Sequence, residues 1–131
     1  MKKNEVKIGC CGFAVSQQRY FQSNLRKFFD RIDRQDLIFA WKRRDPWPED
    51  VIRKICEDHQ LIHCVDPFKN LPLAGSFQYF RLHGITGYRY AYTDEDLNIL
   101  KARVQKKPTY FLFNNSRMVE NALRFHELTG L

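Results

Sequence analysis

The sequence has no apolar run of the roughly 18–20 residues that a membrane-spanning helix needs, and no signal-peptide core follows its first four residues. It also lacks low-complexity segments, internal repeats and a dense run of like charges. These absences argue against a membrane protein, a repeat array and a charged tail. We therefore expect a cytoplasmic protein with no membrane partner.

The sequence has only four cysteines, at positions 10, 11, 56 and 64, which is too few for a disulfide-rich scaffold. In a cytoplasmic chain such cysteines are normally reduced and pack as small hydrophobic side chains. Cys56, His59, His63 and Cys64 contain zinc-ligating residue types, but their spacing fits no standard finger. His63 and Cys64 would also point to opposite faces of a strand. We therefore expect no metal site.

Catalytic and cofactor motifs are missing as well. There is no Ser-His-Asp order, Walker loop, dinucleotide glycine fingerprint or zinc-hydrolase helix. We therefore expect no cofactor, and the sequence leaves open whether the protein is an enzyme. The net charge of +7 favours anionic partners such as nucleic acid or a phosphorylated small molecule, although it also fits a merely basic surface.

The sequence does contain enough hydrophobic residues (44%, with eleven Phe) for one folded domain over residues 1–131. Short apolar runs alternate with stretches of helical period. The predicted strands are 6–13, 36–43, 61–66, 78–83 and 109–114, and the predicted helices are 24–32, 48–59, 94–105 and 116–128. This alternation predicts βα units and a five-stranded parallel sheet.

Capping residues support the predicted helices. Asn24 is expected to cap the first helix, and Thr93 begins a capping box before the third. Asn115 or Ser116 is expected to cap the fourth, with Gly130 just beyond its end. Each helix has one apolar stripe, which in the fourth helix consists of Val119, Ala122, Leu123 and Leu128.

Alternation gives the strands two different faces. One face is apolar and suits a helix layer: Leu37, Phe39, Trp41, Val65, Phe80, Leu82, Phe111 and Phe113. The other is small, polar or charged toward the strand ends: Ala40, Lys42, Cys64, Asp66, Tyr79, Arg81, His83, Leu112 and Asn114. A polar face near the carboxyl ends of strands is typical of a barrel interior close to its active-site mouth.

Parallel α/β sheets bind ligands at the carboxyl ends of their strands. The candidate ligand-binding residues there are Arg44, Asp66, Arg81, His83, Tyr88, Asn114 and Asn115. Arg81 can clamp an anion and His83 can donate a hydrogen bond or shuttle a proton. Three structural alternatives stay open: an Arg81–Asp66 ion pair, Asn115 as a helix cap, and ordinary packing of the aromatic loop 84–92.

Several segments, in order, resemble the domain of unknown function 72 (YecE-like) family. They are Lys7-Ile8-Gly9-Cys10-Cys11-Gly12-Phe13, Phe39-Ala40-Trp41 with Arg44 and Trp47, His63-Cys64-Val65-Asp66-Pro67-Phe68, Tyr79-Phe80-Arg81-Leu82-His83-Gly84 with Tyr88, and Phe113-Asn114-Asn115. The resemblance implies a TIM-barrel fold without an established activity.

Two departures from that family shape our expectations. Its members are about twice as long, as a complete barrel of roughly 250 residues requires. The first strand segment here, which ends near Gln22, leads directly into what resembles the helix before the fifth family strand. We therefore expect about three central βα units to be missing. In addition, Lys42 stands where relatives usually carry Glu, which argues against an inherited acid–base role.

A truncated barrel would place strand 1 beside strand 5, in the order 2-3-4-5-1. An alternative is an open flavodoxin-like sheet ordered 2-1-3-4-5. Open edges and an uncovered polar face predict a homo-oligomer, most simply a dimer. The leading functional hypothesis is a protein with weak or no catalysis that binds an anionic or phosphate ligand. The alternatives are a hydrolase-like enzyme acting on phosphate esters or nucleic acid, and a structural fragment without a ligand.

Overall fold

The computed structural model describes residues 6–8, 18–43 and 46–130. The chain forms two compact units, of which unit 1 comprises Met1–His63 with Leu73–Gly75, and unit 2 comprises Cys64–Pro72 with Ser76–Leu131. The elements are β1 Val6–Ile8, α1 Gln18–Arg31, β2 Ile38–Trp41, α2 Glu49–His59, β3 Ile62–Val65, β4 Gln78–Leu82, α3 Asp94–Ala102, β5 Thr109–Phe113 and α4 Met118–Thr129.

Helix α1 begins earlier than predicted. It starts at Gln18, so Asn24 lies inside the helix and is not its cap. The physical reason is that no glycine or proline interrupts residues 18–24, so the helix continues through them. Leu25 and Phe29 of α1 are buried, which anchors the helix in the core of unit 1.

Helix α2 begins where its sequence predicts, directly after Pro48. Glu49 and Asp50 lie in its first turn, where carboxylates interact favourably with the helix dipole. The helix ends at His59, and the capping residue Gln60 adopts a left-handed conformation with φ of 51°. The core of unit 1 consists of apolar side chains from α1, β2, α2 and the segments that precede α2 and β3: Leu25, Phe29, Trp41, Trp47, Ile52, Ile55, Cys56 and Leu61.

In unit 2 the apolar strand face packs against α3 and α4 as predicted. The core contains Val65, Phe80, Leu82, Tyr92, Leu97, Leu100 and Phe125, with Phe111 and Phe113 packed against it. The predicted capping box of α3 is present, since Thr93 Oγ1 accepts from Asp96 N and Asp96 Oδ2 accepts from Thr93 N. Gly130 ends α4 in a left-handed conformation, also as predicted.

The inward face of α4 differs from the predicted stripe. Val119 and Leu123 are 67% and 61% exposed, whereas Asn121 and Phe125 are buried. The reason is that an aromatic ring and a hydrogen-bonded amide fit this site together. Phe125 packs on Phe111 with a centroid distance of 4.7 Å, and the Asn121 amide bonds to the chain at Tyr92. The prediction considered only apolar residues, and it therefore assigned the wrong side of α4 to the core.

The strands pair in chain order and run parallel. β1 pairs with β2, and β2 pairs with the first half of β3 at Ala40–Ile62 and Trp41–His63. The second half of β3 pairs with β4, and β4 pairs with β5. The mixed α/β class is confirmed, but the predicted orders 2-3-4-5-1 and 2-1-3-4-5 are both wrong. Consecutive parallel strands joined by one helix crossover normally lie side by side, which explains why β1 lies next to β2.

The second strand face of unit 2 is not open along its whole length. Cys64 and Tyr79 were expected on an uncovered face but are 2% and 3% exposed. Arg81, His83 and Asn114, farther toward the carboxyl ends, are only half-buried. This face is therefore accessible in part at the carboxyl ends of the strands, and also at Tyr110 near the amino end of β5, which is 48% exposed.

At the opposite end of β4, Gln78 ties three segments together. Its backbone N–H donates to Pro108 O, and its side-chain Oε1 accepts from Gln105 N at 3.0 Å and from Thr109 Oγ1 at 2.9 Å. These bonds fix the connection from α3 into β5. Within the described residues, no helix is long and apolar enough to cross a membrane.

Candidate functional site

The candidate site lies at the carboxyl ends of β4 and β5 in unit 2. Arg81 pairs in register with Leu112, and Leu82 pairs with Phe113, so the next residues along the two strands are His83 and Asn114. Their side chains meet, with 3.2 Å between Asn114 Nδ2 and His83 Nδ1. Alternation along β4 puts Arg81 on the same face as His83. Three of the predicted site residues are therefore brought together.

The contact with Asn114 defines the protonation of the His83 ring. An amide nitrogen can only donate a hydrogen bond, so His83 Nδ1 accepts it. The ring proton of neutral His83 then lies on Nε2. The Nε2 atom itself is buried, so this N–H group lies beneath the surface of the strand ends.

Asp66 contributes to this region as a structural residue. It follows β3, is only 3% exposed, and directs its carboxylate toward the backbone. Oδ1 accepts from Phe68 N at 3.0 Å and Oδ2 accepts from His83 N at 3.2 Å. Asp66 therefore forms a turn and positions the backbone of His83, which leaves its carboxylate poorly placed to act as a general base.

Asn115 is neither a helix cap nor an exposed site residue. Helix α4 starts after Arg117 without a side-chain cap, and Asn115 is 0% exposed. Its Nδ2 donates to Tyr90 O at 2.7 Å and to Asn121 Oδ1 at 2.9 Å. The physical reason for the wrong prediction is that these buried carbonyl acceptors outcompete the solvent-exposed helix start.

The loop 84–92 connects β4 to α3 and is fixed by its own residues. Gly84 N donates to Tyr92 Oη at 2.7 Å, and Tyr90 Oη donates to Asp96 Oδ2 at 2.6 Å. Burial raises the pKa of Tyr92 to about 12, so its hydroxyl stays protonated. Gly84 has φ of 89°, and a Cβ there would lie 1.9 Å from Gly87 O. Glycine is therefore required at position 84.

Tyr88 lies at the exposed tip of this loop. Tyr88 is 59% exposed, and its backbone carbonyl accepts from Ser116 N at 2.7 Å. The backbone of Tyr88 is thus attached to the segment that follows Asn114, and its ring lies at the surface. The last predicted site residue, Arg44, lies outside the described residues.

Sequence analysis missed Asn121, Tyr92 and Gly84, which position this region. Asn121 Oδ1 accepts from Tyr92 N at 3.2 Å, and its Nδ2 donates to Tyr92 O at 3.2 Å. The spacing of Gly84 and Gly87 was a usable signal for a constrained turn. Nothing in the sequence marks Asn121, since one Asn in a helix is usually exposed.

A separate polar group lies in unit 1, where His63 is 2% exposed. Its Nδ1 accepts from Leu73 N at 3.1 Å, and its backbone N–H donates to Ala74 O at 3.0 Å. Burial, helped by the charge of Arg43, lowers the pKa of His63 to about 4. His63 therefore remains neutral near pH 7 and holds the segment Leu73–Gly75.

The described thiols show no sign of reactivity. Cys56 and Cys64 are both buried, and burial raises the pKa of Cys56 to about 12, with a smaller contribution from Glu57. A thiol with such a pKa is a poor nucleophile and a poor metal ligand at neutral pH. Among the residues that the structure describes, no three His, Cys, Asp or Glu side chains come together as a metal site. Cys10 and Cys11 lie outside the described residues.

Comparison with known proteins assigns no family to this chain: no family model, curated protein or solved structure matches it. The function must therefore be argued from the geometry at the strand ends.

Proposed function

We propose that this protein binds an anionic, phosphate-bearing ligand at the carboxyl ends of β4 and β5, with weak or no catalysis. The observation that carries this proposal is the contact between His83 and Asn114 on the strand face that also holds Arg81. Arg81 and Asn114 offer a guanidinium and an amide to one anion, next to the His83 ring. The net charge of +7 would raise the local concentration of such a ligand.

Weak or absent catalysis is supported by the use of Asp66. A general acid–base pair with His83 would need a carboxylate facing the imidazole ring. Asp66 instead accepts hydrogen bonds from two backbone N–H groups, those of Phe68 and His83. Binding therefore accounts for this arrangement better than phosphate-ester hydrolysis does.

We further propose that the fold is a partial TIM-type barrel related to the YecE-like family. The chain-order pairing β1-β2-β3-β4-β5 is the order in which neighbouring strands follow one another in such a barrel. The resemblance segments around Arg81 and Asn114 fall at the strand ends, where barrels bind their ligands. A cytoplasmic location would fit this proposal.

A homodimer is part of the proposal because β5 has an open edge. Among the described residues, β5 pairs with β4 alone, and Tyr110 on β5 is 48% exposed. Open edges and exposed apolar side chains favour association. Light scattering during gel filtration tests this part, and a monomer at 50 μM would contradict it.

Binding of inorganic tripolyphosphate, measured by titration calorimetry, tests the anion site. Arg81→Gln should weaken binding at least tenfold, since it removes a bidentate charged donor. Lys106→Gln is the matched control, because it removes the same charge from an exposed residue in the connection between α3 and β5. Equal binding by both variants, with folding verified by circular dichroism, would overturn the proposed site.

Hydrolysis is the competing outcome of the same design. Turnover of a phosphodiester substrate that persists in metal-free buffer and disappears in His83→Ala would replace the binding proposal by an enzymatic one. Asp66 would then need a different role from the one its hydrogen bonds indicate.

A further inference from the structure

The loop 84–92 uses its three tyrosines in two different ways. The hydroxyl groups of Tyr90 and Tyr92 make hydrogen bonds within the protein. The Tyr90 hydroxyl donates to Asp96, and the Tyr92 hydroxyl accepts from Gly84 N. Tyr88 follows Gly84 and Gly87 and precedes Tyr90 and Tyr92. It is 59% exposed. Two of the three rings therefore hold the loop rigid, and the third is left at the surface. A rigid loop with an exposed ring is a preorganised binding surface, and we call this exposed tip the platform.

The exposed tip combines an aromatic ring with apolar and basic neighbours. Ile85 is 38% exposed, and Arg89 is exposed directly after Tyr88. Aromatic rings interleaved with arginine are the usual means of binding unpaired bases, since every base has a flat face that can stack. A phosphorylated peptide or a small phosphate ester would not require such a ring.

The platform lies close to the proposed anion site. Ser116 N donates to Tyr88 O at 2.7 Å, and Ser116 is two residues after Asn114. Two residues of extended chain span at most about 7 Å, so the backbone of Tyr88 is held near the His83–Asn114 contact. A single ligand can therefore contact both the Tyr88 ring and the anion site. Such a ligand must carry a planar group and a phosphate close to each other.

We propose that the ligand is a single-stranded nucleic acid, whose bases stack on Tyr88 while its phosphates are bound by Arg81 and Asn114, next to His83. This inference rests on the proposed anion site and specifies its ligand. A duplex is disfavoured because its bases are already stacked on one another and offer no free face. Arg89 would contact the backbone of the strand next to the stacked base.

Anisotropy of a labelled 12-nucleotide oligothymidylate at 50 mM salt tests this inference. Tyr88→Ala should weaken binding by about 5- to 100-fold, as expected for loss of one stacking contact. Tyr88→Phe keeps the ring and should bind within about threefold of the unmodified protein. Phe28→Ala is the control, since it removes an aromatic ring that is 41% exposed from α1 in unit 1.

The duplex of the same length and inorganic tripolyphosphate complete the design. The duplex should bind at least tenfold more weakly than the single strand, and Tyr88→Ala should leave tripolyphosphate binding unchanged. If Tyr88→Ala and Tyr88→Phe bind the oligonucleotide like the unmodified protein while Arg81→Gln does not, base stacking is refuted and the anion site stands. If neither tripolyphosphate nor the oligonucleotide binds, the proposed function itself fails.

Discussion

The cores of the two units differ in how many polar side chains they bury. Among the described residues, the core of unit 1 contains one buried polar side chain, that of His63, among apolar and aromatic groups. Unit 2 buries four: Asp66, Gln78, Asn115 and Asn121. Apolar packing is nondirectional and holds helices on strands, whereas hydrogen-bonded amides and carboxylates fix one loop conformation. Unit 2 therefore contains the positioning groups that a binding site needs.

The strongest test of this difference is Gly84→Ala. The added Cβ would overlap Gly87 O, so we expect the free energy of unfolding to fall by about 4 kcal/mol, measured by urea denaturation. Gly87→Ala is the control: it also has a positive φ, of 135°, but nothing lies within 4 Å of its Cβ. Its expected cost is about 1–2 kcal/mol. Equal losses would mean that the loop yields easily.

Asn121→Ala should have the next largest effect. It removes the acceptor of Tyr92 N and Asn115 Nδ2 and the donor to Tyr92 O, all of them buried. We expect a loss of about 3 kcal/mol in the free energy of unfolding. Asn98→Ala, on the exposed side of α3, should change it by less than about 0.5 kcal/mol. Hydrogen exchange should increase at residues 84–92, and unchanged exchange there would contradict this role of Asn121.

Acid should weaken unit 1 through His63. Its pKa is about 4 in the folded protein and near 6.5 when unfolded, so the unfolded state binds more protons as the pH falls from 6.5 to 4. The resulting stability is complete above pH 6.5 and is lost toward pH 4. Between pH 7.5 and pH 5 the loss attributable to His63 should be about 2 kcal/mol.

The comparison variant His63→Gln isolates this contribution, because it removes the titrating ring and can still accept from Leu73 N. Its unfolding free energy should depend less on pH than that of the unmodified protein. Hydrogen exchange at residues 73–75 locates the effect. Identical pH dependence in both proteins would refute the role of His63.

The smallest expected effect concerns the start of α3. Thr93→Ala removes the side chain that accepts from Asp96 N, and should cost about 1 kcal/mol in the free energy of unfolding. Ser76→Ala, at an exposed residue before β4, serves as the control and should cost less than about 0.5 kcal/mol. A larger loss for Ser76→Ala than for Thr93→Ala would show that the capping box contributes little.

Periodicity and local caps were sufficient to predict most elements. The strands around Phe39, Phe80 and Phe111 and the helix after Thr93 occur where apolar alternation and the capping box place them. These signals are local in sequence and are therefore readable without tertiary structure. The meeting of His83 and Asn114 also followed, because both stand at the carboxyl ends of predicted parallel strands.

The sequence failed where long-range contacts decide. Strand order was mispredicted because the truncated-barrel hypothesis placed β1 beside β5, whereas the single helix between β1 and β2 favours their pairing. The inward face of α4 was mispredicted because a buried amide, Asn121, replaces an apolar side chain. Asn115 was mispredicted as a helix cap for a similar reason. Its hydrogen-bond partners Tyr90 and Asn121 are 25 and 6 residues away in the sequence, which is beyond the range of any capping pattern.

The bonds of Gln78 have a consequence for protein engineering. They close unit 2 at the amino end of β4 through Gln105, Pro108 and Thr109, far along the strands from Ile85, Tyr88 and Arg89. Positions 85, 88 and 89 can therefore be randomised in a library while the groups that hold the strands remain untouched. This chain would then serve as a small binding scaffold. Affinity would be selected at the loop positions, and thermal stability would be maintained by the hydrogen bonds of Gln78 at the opposite end of the strands.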